Sequence, residues 1–327
     1  MNSKPPSKAI WSIAEVERET GLGKDTLRVW ERRYGFPWPQ RDGLGERSYP
    51  DDQLHRLRLI KRLLDAGHRP GKVVALSASE LQTKLDGLAD VGQKSKGNAA
   101  HDALLQDPEH EWLQWLSQDK TQQIKQALQQ QILRSGLGLT VDKLVAPLCG
   151  LVGLAWMRGD ISVYQEHLFT ETLQSVLREA IVSVDRAGQG FHQQPRVLLT
   201  TTPNESHGLG LLMAECHFAL ESCERFVLGT STPISDIVQA VRQLKIDVLA
   251  LSFSSYASRK DVVDNLQQLR EQLPPQVEIW VGGTAAHVNR RALPPGVVVM
   301  RKACDVSAQV QTWRQQCHRV ASIDQGR

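Results

Sequence analysis

The sequence predicts a multidomain chain of α and α/β type: an N-terminal winged helix-turn-helix, a central helical bundle and a C-terminal flavodoxin-like (Rossmann-type) five-stranded parallel sheet. Three observations lead to this prediction. Two short helical patterns joined by a glycine turn lie near the N-terminus. Helical periodicity fills the middle, and apolar strands alternate with amphipathic helices near the C-terminus. We expect domains at 1–82, 109–190 and 191–327, with a linker at 83–108 that contains KSKGNAAHD.

The parallel sheet is predicted from five apolar runs separated by helical patterns. Such near-continuous apolar strands are typical of strands that helices cover on both faces, and ligands bind such sheets at the carboxyl ends of the strands. The five runs are RVLLTTT (196–202), RFVLGT (225–230), DVLALSFS (247–254), EIWVGG (278–283) and VVVM (297–300).

Composition excludes several classes of protein. The chain has 327 residues, of which 41% are hydrophobic, so it is long and apolar enough for several globular domains. Residues 1–9 are polar and no 18-residue uncharged apolar run follows, so we expect a cytoplasmic protein that has no secretory signal and no membrane partner. The five cysteines include no CxxC pair, which favours reduced thiols over a disulfide or zinc framework. Catalytic motifs such as GxSxG, HExxH and GxxxxGK[ST] are absent, so we expect no enzyme of those classes.

Charge is concentrated near the N-terminus. Residues 1–80 hold 15 Lys and Arg against 11 Asp and Glu, a net charge of +4 in a chain whose total is +3. A basic segment in a near-neutral chain indicates an anionic partner, although a solvated basic face gives the same count.

The N-terminal segment has the pattern of a helix-turn-helix. Ser12 and Glu15 have the spacing of a capping box, which predicts a helix from Ser12 to about Gly21. A second helix, KDTLRVWERRYG, follows the glycine turn. Three of its positions can pack inward, namely Leu27, Trp30 and Tyr34. Three others form a basic stripe that can reach the major groove and its phosphates, namely Lys24, Arg28 and Arg32.

A glycine-rich turn at Gly43 and Gly45 follows, flanked by basic and aromatic residues as in a wing that touches the DNA backbone. The run TLRVWERRYGFPWPQRDGLGERSY resembles the signature of the MerR family of transcription regulators, over about residues 10–80. This resemblance implies binding to a double-stranded DNA operator. The implied DNA-binding residues are Thr26, Arg28, Arg32, Arg33, Arg41, Arg47 and Tyr49.

A second capping box starts a helix in the middle region. Ser162 and Gln165 have the required spacing, and the periodicity that follows predicts that His167 points into an apolar interior beside Glu166. For that segment taken alone, a core histidine held by a hydrogen bond is favoured over a ligand-binding histidine.

The first loop of the predicted sheet contains a candidate metal ligand. His207 lies between strand and helix, at the sheet edge where ligands bind. Glu205 can hydrogen-bond one imidazole nitrogen and fix the tautomer, which makes the other nitrogen the metal ligand. Gly208 and Gly210 would let a bulky planar ligand approach the backbone. An ordinary loop with an incidental histidine is the alternative.

These features together resemble the cobalamin-binding regulators of the CarH and LitR type over about residues 109–300. Glu205, His207 and Gly210 match the cobalamin signature D/E-x-H-x-x-G in its glutamate form. Trp156 followed by Glu166-His167 matches the cap motif of those regulators.

The resemblance implies a cofactor, adenosylcobalamin or another cobalamin, with His207 as the lower ligand of cobalt. It further implies that Trp156, Glu166 and His167 lie at the upper face, and that Ser252, Gly282 and Gly283 lie at the nucleotide tail. It implies a repressor that holds its operator as a homo-oligomer (dimer or tetramer) in the dark and leaves it in light. RNA polymerase at the promoter is a further implied partner.

Two departures from the pattern leave alternatives open. Met157 stands where well-known members have a histidine that captures cobalt after photolysis, and a thioether is a poor substitute. Phe253 and Ser254 stand where related domains carry smaller or apolar residues. The alternative function is a MerR-type regulator whose degenerate sensor responds to another ligand or a protein partner, with activation and repression both open. A corrinoid enzyme is disfavoured, because the chain has no separate catalytic barrel of about 250 residues.

Overall fold

The computed structural model describes residues 10–20, 22–41, 45–65, 68–93, 108–188, 193–255 and 257–324. The chain divides into two compact units, residues 1–101 and 102–327. The predicted helical cap and the predicted sheet domain therefore belong to one unit. Part of the predicted wing turn, residues 42–44, lies outside the described residues.

The first unit is a helical domain with a small antiparallel sheet in the order β1-β3-β2. Its elements are β1 (Ile10–Ser12), α1 (Ile13–Thr20), α2 (Lys24–Tyr34), β2 (Gln40–Arg41), β3 (Arg47–Pro50), α3 (Asp51–Asp65), α4 (Pro70–Val73) and α5 (Ala78–Gln93). The capping box is present, because the Ser12 backbone N–H donates to Glu15 Oε2 at 2.7 Å and the Glu15 N–H donates to Ser12 Oγ at 3.3 Å. These elements confirm the predicted winged helix-turn-helix.

The linker prediction was wrong over residues 83–93, which continue α5. Leu81 and Leu85 are fully buried in the core of the first unit, so the start of this segment closes the core and does not leave it. A cap fixes the beginning of the helix, since Glu80 Oε2 accepts from the backbone N–H and hydroxyl of Ser77. Residues 94–107 of the predicted linker lie outside the described residues.

The second unit begins with a helical bundle. Its elements are α6 (Pro108–Ser117), α7 (Thr121–Ser135), α8 (Leu137–Thr140), a π-helical segment (Val141–Val145), α9 (Ala146–Arg158) and α10 (Val163–Ala187). Helix α10 buries Phe169, Leu173 and Val176 against the rest of the bundle. Gln165 Oε1 accepts from the Ser162 backbone N–H at 2.9 Å, as the second predicted capping box requires.

One stretch of this bundle, Leu137–Trp156, is long and apolar enough to cross a membrane by length and composition. The stretch is not an uncharged apolar run, because Asp142 and Lys143 interrupt it. Val141, Val145 and Val152 of this stretch are buried in the core of the bundle.

The rest of the second unit is a parallel sheet in the order β5-β4-β6-β7-β8, which is the flavodoxin order 2-1-3-4-5 counted within the domain. All five predicted strands are present. The elements are β4 (Gln193–Thr200), α11 (Leu209–Leu220), β5 (Cys223–Gly229), α12 (Ile234–Gln243), β6 (Val248–Ser252), α13 (Arg259–Gln272), β7 (Glu278–Gly282), α14 (Thr284–Val288), a 3-10 turn (Arg290–Ala292), β8 (Val297–Val299) and α15 (Asp305–Asp324).

The order of the strands locates the crevice. The chain passes from β4 to β5 on one side and then returns to β6 on the other side, so the connections diverge between β4 and β6. Ligands bind doubly wound sheets at this point, outside the carboxyl ends of the strands. The loops at 201–208 and 253–258 follow these two strands.

Candidate functional site

Glu205 holds the candidate metal ligand in place. Its side chain is 4% exposed, and its Oε1 accepts from the His207 backbone N–H at 2.9 Å and lies 2.7 Å from His207 Nδ1. Its Oε2 accepts from the backbone N–H and from the hydroxyl of Ser254, both at 2.8 Å. The hydrogen bond predicted between Glu205 and His207 is therefore present.

The charge of Glu205 decides which tautomer His207 adopts. Burial raises the pKa of the Glu205 carboxyl, but the hydrogen bonds from His207 and Ser254 outweigh it, so the pKa lies below its usual value. Glu205 is then a carboxylate. A carboxylate only accepts hydrogen bonds, so the Nδ1 atom of His207 carries the proton and donates to it. With Nδ1 turned to the carboxylate, Nε2 of the half-exposed imidazole is the nitrogen in position to bind a metal. The pair has the chemistry of a metal-ligating histidine oriented by a carboxylate.

Ser254 is a residue whose role sequence reasoning missed. It was noted as a departure from related domains, whereas it makes two of the hydrogen bonds that hold Glu205. Phe253, the neighbouring departure, is buried in the core between the sheet and helices α12 and α13. A polar residue just beyond the carboxyl end of a buried strand was the signal that could have identified Ser254.

The predicted glycines and Ser252 meet at the same edge of the sheet. A Cβ on Gly210 would lie 2.6 Å from Ser252 Oγ, so a side chain there would require the Ser252 hydroxyl to move. Gly283 has φ +92°, and a Cβ on it would lie 2.0 Å from the carbonyl oxygen of Phe253. Gly282 has nothing within 4 Å of its Cβ position, so it borders open space.

That open space is a cavity of about 840 Å³, within the range of roughly 300–1,000 Å³ that is typical of ligand sites. Its buried floor is apolar and includes Leu211, Phe218, Trp280 and Val281. Gly210, Ser252, Gly282 and Gly283 all line it. The glycine-lined wall and the apolar floor fit the nucleotide tail of a cobalamin, whose flat base and ribose need close backbone approach.

The cap residues are arranged differently from the prediction. His167 was predicted to point inward, but its side chain is 71% exposed, because the buried face of α10 runs through Phe169 and Leu173. Glu166 is 30% exposed; its Oε1 accepts from the Thr170 hydroxyl at 2.8 Å, and its Oε2 lies 3.7 Å from His167 Nε2. Trp156 is half-buried against the core of the bundle. The side chain of Met157 lies outside the described residues.

A buried pair that the sequence did not indicate joins the bundle to helix α11. His217 Nε2 lies 3.0 Å from Asp142 Oδ1, and the two side chains are 5% and 19% exposed. Asp142 lies in the π-helical segment and lines the cavity. Its partner is 75 positions away in the chain, so no local pattern could have indicated the contact.

In the first unit, the predicted basic stripe lies on the exposed face of α2. Lys24 and Arg28 keep 43% and 48% of their side chains exposed. Arg28 pairs with Asp25 at 3.0 Å, a surface contact that a phosphate can replace at little cost. Arg32 and Arg33 are exposed on the same helix.

Of the remaining predicted residues, Arg41 is exposed and Thr26 is half-buried. Arg47 Nε donates to Glu31 Oε2 at 2.9 Å, which fastens β3 to α2. The prediction that Tyr49 touches the DNA backbone was wrong for this structure. Its side chain is fully buried, because β3 turns alternate residues toward the core, and burial raises its pKa.

Comparisons with known proteins agree with both units. The family model of MerR HTH family regulatory proteins matches residues 11–79, and two models of B12 binding domains match residues 117–180 and 195–310. The HTH-type transcriptional repressor CarH of Myxococcus xanthus is 32% identical over 277 residues, which is 83% of this chain and 87% of that protein. The repressor CarA of the same organism is 25% identical over 86% of this chain and 89% of that protein.

Among solved structures, the monomethylamine corrinoid protein of Methanosarcina barkeri is 12% identical, with a TM-score of 0.46, over 61% of this chain and 94% of that chain.

Proposed function

Because the chain belongs to the cobalamin-binding regulators of the MerR family, we propose that adenosylcobalamin and light control its hold on operator DNA. The coarser function follows from the family: the chain is a DNA-binding transcription regulator with a cobalamin cofactor. The observation that carries the finer proposal is the buried Glu205 carboxylate that orients His207, three residues before Gly210 of the cavity wall. It supports a cobalt ligand that the protein holds ready in one tautomer.

In this proposal His207 would hold cobalt, and Gly210, Ser252, Gly282 and Gly283 would receive the nucleotide tail. Trp156, Glu166 and His167 would contact the cofactor from the helical bundle. Bound adenosylcobalamin supplies a cobalt–carbon bond that visible light breaks.

The rest of the mechanism belongs to the chain. Contacts from the bundle to the upper group favour one arrangement of the bundle, and their loss removes that preference. We propose that the favoured arrangement assembles a homo-oligomer, a dimer or tetramer, that grips paired half-sites and represses transcription in the cytoplasm, where RNA polymerase competes for the promoter. The DNA contacts come from Lys24, Thr26, Arg28, Arg32, Arg33, Arg41 and Arg47.

A second candidate function is favoured by Met157. A regulator that binds cobalamin but has no histidine at this position can respond to the presence of the cofactor and not to light. A regulator with a degenerate sensor would respond to neither.

The test is spectroscopic. Adenosylcobalamin is added to the apo-protein in the dark, excess is removed, and the visible spectrum and the oligomeric state are recorded before and after green light. We expect a retained corrinoid that changes on illumination in the wild type, loss of retention in His207→Ala, and wild-type behaviour in the control His55→Ala, which removes an exposed histidine of α3. Retention without any response to light would support the second candidate. No retained corrinoid would refute the cofactor site.

A further inference from the structure

One apolar side chain lies among the charged residues of helix α2. Val29 keeps 42% of its surface exposed, and it is the one large hydrophobic residue of α2, a helix described throughout, that does so. The other exposed side chains of the helix all carry a charge, namely Asp25, Arg28, Arg32 and Arg33. A single exposed valine is ordinary by itself, so its position on the helix decides what it can contact.

Val29 lies in the middle of the face that looks away from the core. Helical residues three or four positions apart share a face, so Val29 has Asp25 one turn before it and Arg32 one turn after it. The opposite face of α2 is fixed, because Leu27 and Trp30 are buried in the core of the first unit. Val29 therefore points outward whenever this unit is folded.

The cations beside Val29 do not cover it. Arg28 Nη1 pairs with Asp25 Oδ1 at 3.0 Å, and Arg32 Nε donates to the backbone carbonyl oxygen of Arg28 at 3.4 Å. Both contacts lie within α2, and they leave Val29 open to solvent. A valine in a helix has one strongly preferred rotamer, so its two methyl groups form a fixed apolar surface that loses little conformational entropy on binding.

The partner that suits this face is an anionic surface with an apolar group at its centre. Duplex DNA offers both in its major groove, where phosphates flank the base edges and the C5 methyl group of thymine is the apolar group that those edges present. The other base edges present hydrogen-bonding atoms, which a valine would desolvate without pairing. The face therefore fits a groove that carries a thymine opposite Val29.

We propose that Val29 reads the methyl group of a thymine in the operator, so that the chain selects a T·A pair at that position. This inference rests on the proposed DNA contacts of Arg28 and Arg32, which bring α2 into the groove. The arginines contribute charge, whereas Val29 contributes an uncharged contact to a base. Its share of the affinity therefore does not depend on counterion release, as the share of the arginines does.

The expected size follows from the apolar surface that one methyl contact removes from water. Burial of a single methyl group corresponds to about fourfold in affinity. Deoxyuridine differs from thymidine only by this methyl group and pairs with adenine in the same way. Replacement of thymidine by deoxyuridine therefore isolates the contact without changing the hydrogen bonds of the base pair.

The experiment first selects a duplex from a random library with the full chain in the dark, with and without adenosylcobalamin. Each thymidine of the selected duplex is then replaced in turn by deoxyuridine, and dissociation constants are measured by fluorescence anisotropy over a range of salt concentrations. The wild type is compared with Val29→Ala, which keeps a good helix former at an exposed position. The control is Val182→Ala, which truncates a valine of α10 that is 46% exposed.

We expect a thymidine whose replacement by deoxyuridine weakens wild-type binding about fourfold and leaves the affinity of Val29→Ala unchanged. Val29→Ala should bind the original duplex more weakly than the wild type does, with the same slope of log affinity against log salt. The control should keep the wild-type response to deoxyuridine at every position.

Two results would overturn the assignment of Val29 while the DNA contacts of the arginines stand. One is a wild type that is insensitive to deoxyuridine at every position, and the other is a sensitivity that persists in Val29→Ala. A wild-type chain that enriches no duplex, with or without adenosylcobalamin, would overturn the proposed DNA contacts and this inference together.

Discussion

Glu205→Gln is the substitution that most directly tests the orientation of His207. The carboxylate accepts four hydrogen bonds, two from His207 through Oε1 and two from Ser254 through Oε2. A glutamine of the same size has one oxygen and one NH₂ group. If the oxygen faces His207, the NH₂ meets the backbone N–H of Ser254; in the opposite orientation it meets the backbone N–H of His207.

Either orientation leaves one N–H in the interior facing another donor. An unsatisfied donor of this kind costs about 1–3 kcal/mol, so we expect the free energy of unfolding to fall by about 2 kcal/mol. Glutamine also stabilises the Nδ1–H tautomer less than a carboxylate does. Loss of such a partner lowers metal affinity by about 10–100-fold, and we expect corrinoid affinity to fall by that amount.

Urea unfolding of the full chain and equilibrium dialysis with hydroxocobalamin measure the two quantities separately. The matched control is Glu224→Gln, which removes the same charge from a side chain that is 37% exposed and paired with Arg196 at 3.4 Å. The control should change unfolding by less than about 1 kcal/mol. A Glu205→Gln protein as stable as the control, with wild-type affinity, would show that the carboxylate does not orient His207.

The pH dependence of the same pair of proteins gives a second test. The folded pKa of Glu205 lies below its usual value, so its carboxylate contributes stability that is fully present above the unfolded pKa of about 4.3. That contribution is lost as the pH falls through the folded pKa. The difference in unfolding free energy between wild type and Glu205→Gln should stay constant near neutral pH and shrink in acid. A difference that grows in acid would contradict the sign of the shift.

Two further predictions concern the glycine wall and the DNA-binding face. Gly283→Ala should lower the free energy of unfolding by at least about 1–3 kcal/mol in urea, because its Cβ would lie 2.0 Å from the Phe253 carbonyl oxygen. Gly282→Ala places a Cβ with nothing within 4 Å, so we expect it to leave the free energy of unfolding unchanged and to weaken hydroxocobalamin binding. Equal stability losses would refute this distinction. Arg28→Gln and Arg32→Gln should each lower the slope of log affinity against log salt by about 1 in operator titrations, and an unchanged slope would remove that residue from the phosphate contacts.

Features with local causes were predictable from the sequence. The capping box at Ser12 and Glu15 depends on two residues three positions apart, and the hydrogen bond that His207 donates to Glu205 joins residues two positions apart. The order of the strands follows from the alternation of apolar strands with helices, which restricts the topology to a few choices.

Features that depend on distant packing were not predictable. Helix α10 has apolar residues on two faces, and the tertiary contacts bury Phe169 rather than Val163, which turns His167 to solvent. Leu85 lies in a segment that is poor in large apolar residues, and only the packed core of the first unit shows that it is buried there with Leu81. Ser254 meets Glu205 only because β4 and β6 are neighbours in the sheet.

Helix α11 connects the loop of His207 to the helical bundle, because it packs against the sheet on one face and against the bundle on the other. It begins two residues after His207, and it buries Leu211 and Phe218 against the sheet. Its other face, with Leu212 and Cys216, belongs to the core of the bundle. A ligand can bias the bundle only by the difference in its affinity for two arrangements, and a shift from 1:99 to 99:1 needs about 5.5 kcal/mol. Because both faces of α11 are close-packed, a displacement of this helix requires side chains to repack both in the sheet domain and in the bundle. We expect this coupling to transmit the difference in affinity to the bundle.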